Sequence, residues 1–188
     1  MKTIIIEGMD NTGKNTIIGK LLEKYPVIRL IHCGKPKSSD SKSAQKEQEE
    51  LFKSYADLNV KEFIIGDTDA FIYNRSWYGE YVYGCMYRNA DENRVLETIL
   101  TIESFLKEYT NNIYLITLVV DNPDFLVKND DGKSLSDTKI SNIETEKQRF
   151  ETIHNFSNLP KKLITVNNGK YFKPIDDIMT EIYDLIGE

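Results

Sequence analysis

The sequence has few of the residues that build disulfide frameworks or metal knuckles. Its 188 residues include only two cysteines, Cys33 and Cys85, and two histidines. Cysteines this far apart form neither a close metal-binding pair nor a redox pair, so we expect both to be reduced thiols. On the same counts, the sequence does not predict a structural zinc site.

Long apolar runs are also missing. No stretch approaches the ~20 residues that a membrane-spanning helix requires. The apolar stretch near the N-terminus, Ile4-Ile5-Ile6, is too short for a secretory signal and leads directly into a glycine-bearing loop. We therefore expect a cytoplasmic protein with no membrane partner.

Positive charge is in the minority. Lysine and arginine contribute 24 residues against 30 aspartates and glutamates, which gives a formal net charge of -6. A nucleic-acid-binding surface is ordinarily basic, so we expect no nucleic-acid partner. A small phosphorylated ligand, bound in a locally positive cleft, is compatible with this balance.

Composition and periodicity predict one α/β domain over residues 1–188. The hydrophobic content of 40% suits a continuous core in a chain of this length. Apolar runs predict strands at residues 3–6, 27–31, 70–73, 113–120 and 163–166, and helical periodicity falls between them, most clearly at about 44–64, 140–156 and 175–186. Strands that alternate with helices imply a parallel sheet with helices on both faces.

One loop carries the clearest functional signal. Gly8, Gly13 and then Lys14 lie between a predicted strand and a predicted helix, which is the setting of a phosphate-binding loop. Glycines let the backbone wrap closely, its N–H groups point at phosphate oxygens, and the helix start favours an anion. The predicted ATP phosphate-binding residues are Gly8, Asn11, Thr12, Gly13, Lys14, Asn15 and Thr16, with Lys14 reaching the outer phosphates as a catalytic residue. The alternative is that the two glycines merely shape a strand-to-helix turn.

Three segments resemble the motifs of a known family. They are Glu7-Gly8-Met9-Asp10-Asn11-Thr12-Gly13-Lys14, then Tyr73-Asn74-Arg75-Ser76, and then Glu80-Tyr81-Val82-Tyr83-Gly84-Cys85-Met86-Tyr87-Arg88. Together they resemble the P-loop nucleoside monophosphate kinases, most closely the thymidylate-kinase-like branch, which includes bacteriophage deoxynucleoside monophosphate kinases. The resemblance implies an α/β three-layer sandwich around a five-stranded parallel sheet of order 2-3-1-4-5. It also implies a mobile lid at about residues 128–139.

The resemblance implies a reaction as well. The γ-phosphoryl group of ATP, bound with Mg2+, passes to a deoxynucleoside 5'-monophosphate, with dTMP or a related pyrimidine nucleotide favoured as the acceptor. A phage-encoded protein would do this in the host cytoplasm. The family often forms dimers, so a homodimer through the helix at residues 95–106 is one expectation. The apolar stripe of that helix serves an intramolecular core equally well.

Residue roles are suggested by the matched motifs. Asp10 matches an aspartate that contacts the deoxyribose hydroxyl of the acceptor, and Arg75 matches a catalytic arginine that holds phosphate at the transfer site. The other candidate acceptor-binding residues are Trp77, Tyr83, Arg88 and Phe52, and the candidate lid cations are Lys128, Lys133 and Lys139. A structural ion pair for Arg75 and core packing for Phe52 are the competing interpretations.

The departures from the family pattern cluster at the chemistry. Asn15 stands where a Ser or Thr hydroxyl normally meets magnesium, so its carbonyl oxygen is the candidate metal ligand. Asn74 replaces an acidic residue of the family's motif. Slower catalysis, magnesium held mainly by the nucleotide, and substitution by Asp67 or Asp69 all remain open.

Two other functions also remain open. A deoxynucleoside kinase requires a carboxylate to take the hydroxyl proton. Such kinases place it near the end of the second strand, where this sequence has His32-Cys33-Gly34-Lys35, and this favours a monophosphate acceptor. A nucleotide-binding protein that has lost turnover is the second alternative, and the asparagines at positions 15 and 74 are the feature in its favour.

Overall fold

The computed structural model describes residues 1–129 and 139–188, and a five-stranded parallel sheet forms its centre. The strands are β1 (Lys2–Gly8), β2 (Ile28–His32), β3 (Ala70–Asn74), β4 (Ile113–Val119) and β5 (Lys161–Thr165). Their spatial order is β2-β3-β1-β4-β5. The strand order that the resemblance implies is therefore confirmed.

Helices cover the sheet on both sides. They are α1 (Lys14–Lys24), α2 (Ser41–Ile65), the composite α3 (77–87), α4 (Glu92–Lys107), α5 (Pro123–Lys128), α6 (Ile140–Phe156) and α7 (Ile175–Ile186). Helices α1 and α7 contact each other and the sheet, whereas α2, α3, α4 and α6 form a second, mutually contacting layer. This is the predicted three-layer arrangement.

The central strands are apolar because both of their faces are covered. Ile4, Ile5 and Ile6 of β1 are each fully buried, as are Phe71 and Ile72 of the neighbouring β3. A strand buried on both faces has a continuous apolar sequence instead of an alternating one. The polar residues that follow these two strands therefore emerge at the carboxyl edge of the sheet from a rigid support.

Helix α3 begins and ends as α-helix but contains a π-helical turn. Its three parts are Trp77–Gly79, Glu80–Gly84 and Cys85–Tyr87, and the middle part is the π-helical one. The aromatic pattern of this segment predicts a helical stretch but not the wider turn. Such π turns occur most often at functional sites, and this one carries Glu80 and Tyr83.

Several element boundaries differ from the prediction. Helix α2 begins at Ser41, three residues early, because the Asp40 carboxylate caps it by accepting a hydrogen bond from the Ser43 N–H at 2.8 Å. Strand β5 begins two residues early. A short antiparallel hairpin, β6 (Asn167–Asn168) and β7 (Tyr171–Phe172), was not predicted, because two-residue strands have no periodicity to detect.

The apolar stripe of α4 is an intramolecular core. Val95, Ile99, Ile102 and Leu106 are each at most 3% exposed within the single chain. Of the two alternatives, the intramolecular core is therefore the one that the stripe serves, because it packs against the protein's own helices and sheet; the homodimer itself stays a prediction. No helix in the described part of the chain is long and apolar enough to cross a lipid bilayer.

Candidate active site

The loop between β1 and α1 has the backbone geometry that its glycines predict. Gly8 has φ +138° and lies so close to the Leu118 carbonyl that a Cβ atom there would overlap it. Gly13 has φ +81° and is the residue before α1. Asn11, with φ +56°, is also left-handed, and asparagine tolerates this conformation better than most residues. The loop is therefore tightly wrapped.

Lys14, the first residue of α1, folds back over this loop. Its Nζ donates hydrogen bonds to the carbonyl oxygens of Gly8 at 3.0 Å and Met9 at 2.5 Å, and the residue is 8% exposed. Burial, together with the nearby charge of Arg75, lowers the pKa of Lys14 to about 7. A bound phosphate would favour the charged form of this amine, since an opposite charge raises the pKa of a lysine.

The side chains of two asparagines, Asn15 and Asn74, lie next to Lys14. The Asn74 Nδ2 group donates to Asn15 Oδ1 at 3.0 Å and lies 2.9 Å from the Nδ1 atom of His32. An amide oxygen has two lone pairs, so Asn15 Oδ1 retains one for a metal ion or its water. Among the described residues, no group of three or more His, Cys, Asp or Glu side chains is placed to hold a metal. The donor set fits an Mg2+ ion held mainly by phosphate oxygens and water.

Arg75 is held in an uncommon backbone conformation at the end of β3. Its φ is +65°, and its N–H donates to the Ile6 carbonyl at 3.0 Å. The guanidinium forms an ion pair with Asp10 and lies 5.2 Å from the centre of the Tyr83 ring. A left-handed arginine costs roughly 1 to 3 kcal/mol, a strain that persists only where the surroundings fix the residue.

Glu7 fixes the chain on the other side of Arg75. Its Oε1 accepts hydrogen bonds from the Ser76 N–H at 2.5 Å, the Ser76 hydroxyl at 2.7 Å and the Gly79 N–H at 3.2 Å. The carboxyl is almost completely buried, and burial raises its pKa. Glu7 thus ties the start of α3 to β1, and this tie positions Arg75.

A polar cleft of about 450 Å³ lies above the loop. It is lined by Asp10, Asn11, Thr12, Gly13, Lys14, Asn15, Asn74 and Arg75, with Asn129 and Phe172 on the opposite side. Of the predicted phosphate-binding residues, Gly8 and Thr16 do not line the cleft. Gly8 shapes the loop through its backbone conformation, and the Thr16 side chain is exposed. We name this space the phosphate cleft.

A second and smaller cleft adjoins Arg75 on its other side. Its free volume is about 40 Å³, and its lining residues are Cys33, Gly34, Lys35, Gln48, Phe52, Arg75, Ser76, Gly79, Glu80, Tyr83 and Arg88. The fold thus brings together four of the predicted acceptor-binding residues: Phe52, Arg75, Tyr83 and Arg88. Asp10 lines the phosphate cleft instead, where it is paired with Arg75. We name the second space the acceptor cleft.

Trp77 does not reach the acceptor cleft. It is 1% exposed, and its ring packs edge-on against Tyr73 with 5.2 Å between ring centres. It lines a separate inner cavity behind Phe52 and Glu80. Its position is that of a core residue, so the prediction that it contacts the acceptor lacks support from its placement.

The comparisons with known proteins concern the fold. No protein-family model matches the sequence, and the comparison with curated proteins found no match. Among solved structures, the YorR protein from Bacillus subtilis, determined in complex with phosphorylated GDP, matches with a TM-score of 0.68 and 21% identity over 99% of this chain and 96% of that one. Thymidylate kinase from Candida albicans matches with a TM-score of 0.60 and 17% identity over 99% of this chain and 91% of that one.

A third structure extends the range of chemistry. Deoxyadenosine kinase from M. mycoides, with bound dATP, matches with a TM-score of 0.56 and 16% identity over 97% of this chain and 99% of that one. The chain has the P-loop kinase fold. One of these proteins is named for a nucleotide acceptor, thymidylate, and another for a nucleoside acceptor, deoxyadenosine. The fold alone therefore does not identify the acceptor of the present chain, which has to be argued from its own residues.

The region of the predicted lid is only partly described. Lys128 ends α5 and Lys139 precedes α6, and both side chains are exposed. Lys133 lies outside the described residues, as does most of the predicted lid. Arg149 of α6 points elsewhere, since it donates to the Tyr81 carbonyl at 3.0 and 2.9 Å and pairs with Glu92 at 2.7 Å.

Several residues that build the two clefts were not predicted. The lining residues among them are Glu80, Asn129, Phe172, Cys33, Gly34, Lys35, Gln48, Ser76 and Gly79. Glu7 lines neither cleft and acts through Ser76 and Gly79. Glu7 has a signal in the sequence, because an acid at the end of an apolar buried strand needs a buried partner. Glu80 has a weaker signal of the same kind, as an acid within an aromatic helical segment. Asn129 and Phe172 have none, because only the tertiary fold brings them to the phosphate cleft.

Proposed function

We propose that the protein transfers the γ-phosphoryl group of ATP to a deoxynucleoside 5'-monophosphate and releases ADP and the diphosphate. The observation that carries this proposal is the position of Arg75. Its side chain lines both clefts, with Lys14 on the phosphate side and Arg88 on the acceptor side. A cation between two clefts suits a phosphoryl group that passes from one to the other.

The phosphate cleft suits the donor nucleotide. The loop supplies backbone N–H groups, the start of α1 supplies a partial positive charge, and Lys14 supplies a full one. These groups stabilise the charge of the transferring phosphoryl group without covalent chemistry. Phe172 and Asn129 lie opposite the loop, and we assign them to the wall that faces the rest of the donor.

Magnesium is proposed as the partner of ATP in this cleft. When bound, it neutralises charge on the phosphate oxygens. Asn15 Oδ1 is the protein oxygen that we assign to it, directly or through water. Asn74 keeps that oxygen in place by its hydrogen bond and cannot add the negative charge that an aspartate would. The remaining ligands would come from the nucleotide and from water, as is usual for Mg2+.

The acceptor cleft suits a monophosphate better than a nucleoside. Lys35 and Arg75 place two cationic side chains along it, besides Arg88, whose charge is compensated by Glu80, and this favours a dianionic phosphate group. A phosphate acceptor is already ionised near pH 7 and needs no general base, whereas a 5'-hydroxyl does. Of the acids near the cleft, Glu7 is fixed by Ser76 and Gly79, and Glu80 pairs with Arg88. We also propose Lys128, Lys133 and Lys139 as cations that contact the phosphates from the segment between α5 and α6, of which residues 130–138 lie outside the described part of the chain.

The test measures both products together. Purified protein is incubated with ATP, Mg2+ and each of the four common deoxynucleoside monophosphates, and ADP and the deoxynucleoside diphosphate are quantified in the same samples. We expect the two products in equal amounts with at least one acceptor. Deoxynucleosides are run in parallel, and a preference for them over monophosphates would contradict the proposal in favour of a deoxynucleoside kinase.

A further inference from the structure

The acceptor cleft contains a carboxylate whose hydrogen bonding is incomplete. Glu80 is 7% exposed, and its Oε2 accepts a hydrogen bond from Arg88 Nη2 at 2.5 Å. Its Oε1 is buried and has no hydrogen-bond partner among residues 1–129 and 139–188. Burial raises the pKa of Glu80, and Arg88 only partly opposes this rise. A buried carboxylate oxygen without a donor is costly, so a ligand that supplies a donor gains that energy.

The partner of this carboxylate is incomplete in the same way. Arg88 uses one terminal nitrogen for Glu80, while its Nε is buried and lacks an acceptor in the part of the chain that the structure describes. Both residues line the acceptor cleft, and each keeps a buried polar atom, Glu80 Oε1 and Arg88 Nε, that a ligand reaches only when the cleft widens. Phe52, which is 3% exposed, supplies an apolar wall to the same cleft. A flat ring with polar atoms along one edge matches this combination.

The edges of the bases differ in how well they complement the pair. Guanine presents the acceptor O6 and then two adjacent donors, N1–H and the 2-amino group. Its donors suit a carboxylate and its O6 suits an arginine. Cytosine and adenine each offer an amino donor next to an acceptor nitrogen, which satisfies one oxygen and one N–H. Thymine offers a single N–H flanked by two carbonyls, so one carbonyl would face the carboxylate unfavourably.

We propose that Glu80, held by Arg88, selects acceptor nucleotides whose base carries an exocyclic amino group, with guanine as the best complement. This inference rests on the proposed function, because it assigns the base of the same acceptor. It departs from the thymine expectation of the sequence. Binding must widen the cleft beyond its present volume, and we assign this opening to the wall that includes Gly34 and Lys35, which belongs to the loop between β2 and α2.

The first experiment compares nucleotides on the unaltered protein. Dissociation constants for dGMP, dIMP, dCMP, dAMP and dTMP are measured by calorimetry, and kcat/KM is measured for the same acceptors with ATP and Mg2+. We expect the affinity and the kcat/KM for dGMP to exceed those for dTMP by at least about tenfold. They should exceed those for dIMP, which lacks only the 2-amino group, by at least about fivefold. Equal affinity for dGMP and dIMP, or a preference for dTMP, would overturn the assignment.

The second experiment changes the carboxylate alone. In Glu80→Gln the amide oxygen is drawn to Arg88, so the amide N–H2 group faces the base. The ratio of dGMP to dTMP affinity should fall at least about tenfold. The two N–H donors of the amide would then face the donors of guanine, whereas one of them would suit a thymine carbonyl. Glu49→Gln is the matched control, since Glu49 pairs with Arg94, lines the inner cavity and does not line the acceptor cleft. An unchanged ratio in Glu80→Gln would refute the role of Glu80.

The outcomes separate this inference from the proposed function. If no monophosphate becomes a diphosphate, the proposed function fails, and the calorimetric preference alone decides the role of Glu80. If a diphosphate forms best from dTMP, the proposed function stands and the role of Glu80 is refuted. A thermal unfolding curve shows whether Glu80→Gln folds. If it does not, the comparison of dGMP with dIMP on the unaltered protein gives the decision.

Discussion

The two clefts on either side of Arg75 are built in opposite ways. Six consecutive residues, 10–15, form most of the phosphate cleft, and their backbone does much of the work. The acceptor cleft takes residues from a much longer segment, 33–88, in or beside the four consecutive elements β2, α2, β3 and α3. Phosphate binding is therefore a property of one short loop, whereas recognition of the acceptor depends on how four elements pack together.

The contrast also appears in the electrostatics. In the phosphate cleft, Lys14 is a buried cation whose hydrogen bonds all go to loop carbonyls. In the acceptor cleft, Glu80 and Arg88 neutralise each other, and each keeps one polar atom without a partner among the described residues. The phosphate cleft is therefore suited to bind a negative charge, and the acceptor cleft is suited to bind a base whose hydrogen-bonding groups match. Binding by charge does not distinguish nucleotides, whereas hydrogen bonds to the base do.

The largest effect is expected for the cation of the phosphate cleft. Lys14→Met should lower kcat by about 10²- to 10³-fold, because it removes a preorganised charge from the transferring phosphoryl group. The fold should remain, as judged by the thermal unfolding temperature. Lys20→Met is the control on the same helix, where Lys20 pairs with Glu23 near solvent, and it should change kcat less than twofold. Equal kcat values for the two variants would remove Lys14 from the chemistry.

The glycines of the loop should differ sharply in stability. Gly8→Ala should lower the free energy of unfolding by at least about 3 kcal/mol, because its Cβ would overlap the Leu118 backbone. Gly13→Ala meets no atom within 4 Å and should cost only about 1 to 2 kcal/mol for its left-handed backbone. Urea unfolding of both variants measures the difference. Similar losses would mean that the loop does not press against β4 as described.

Activity should depend on the planar guanidinium of Arg75 and not only on its positive charge. Arg75→Lys should lower kcat about 10²-fold with every acceptor, because lysine lacks the planar fork that contacts two oxygens at once. ATP binding measured without acceptor should change much less. Arg29→Lys is the control, since Arg29 forms an exposed pair with Glu62. An effect on ATP binding as large as that on kcat would place Arg75 in the phosphate cleft alone.

The smallest of these effects is the pH dependence of ATP binding. Since the free protein has a Lys14 pKa of about 7 and the phosphates favour the charged amine, ATP binding above pH 7 requires proton uptake. Between pH 7.5 and 9, where the phosphates are already ionised, the dissociation constant should rise by up to about tenfold per pH unit. Calorimetry in buffers of different ionisation enthalpy measures the uptake. Lys14→Met should show neither the uptake nor the slope.

The sequence predicts the phosphate cleft better than the acceptor cleft for a physical reason. The glycines, Lys14 and the flanking apolar strand are contiguous, so their spacing alone defines the loop. The sheet order follows from the resemblance, and the parallel arrangement follows from the alternation of strands and helices. Arg75 was recognisable because it follows a strand within a motif, and the structure shows it next to both clefts.

The rest depends on tertiary contacts. Trp77 and Tyr83 lie in the same aromatic segment, but Tyr83 belongs to the π turn and lines the acceptor cleft, whereas Trp77 precedes the turn and lies in the core. Helical periodicity cannot separate them, because a π turn changes the spacing of the faces. The buried stripe of α4 likewise has the pattern of an interface, and only the packing against α2 shows that it is internal.

The most direct test of the account follows the phosphoryl group itself. ATP labelled with 32P at the γ position is incubated with the protein, Mg2+ and excess dGMP, and the products are separated by chromatography. The account predicts label in dGDP at the rate at which ADP forms. Label released as inorganic phosphate, or label retained in ATP despite measurable binding of both nucleotides, would contradict phosphoryl transfer between the two clefts.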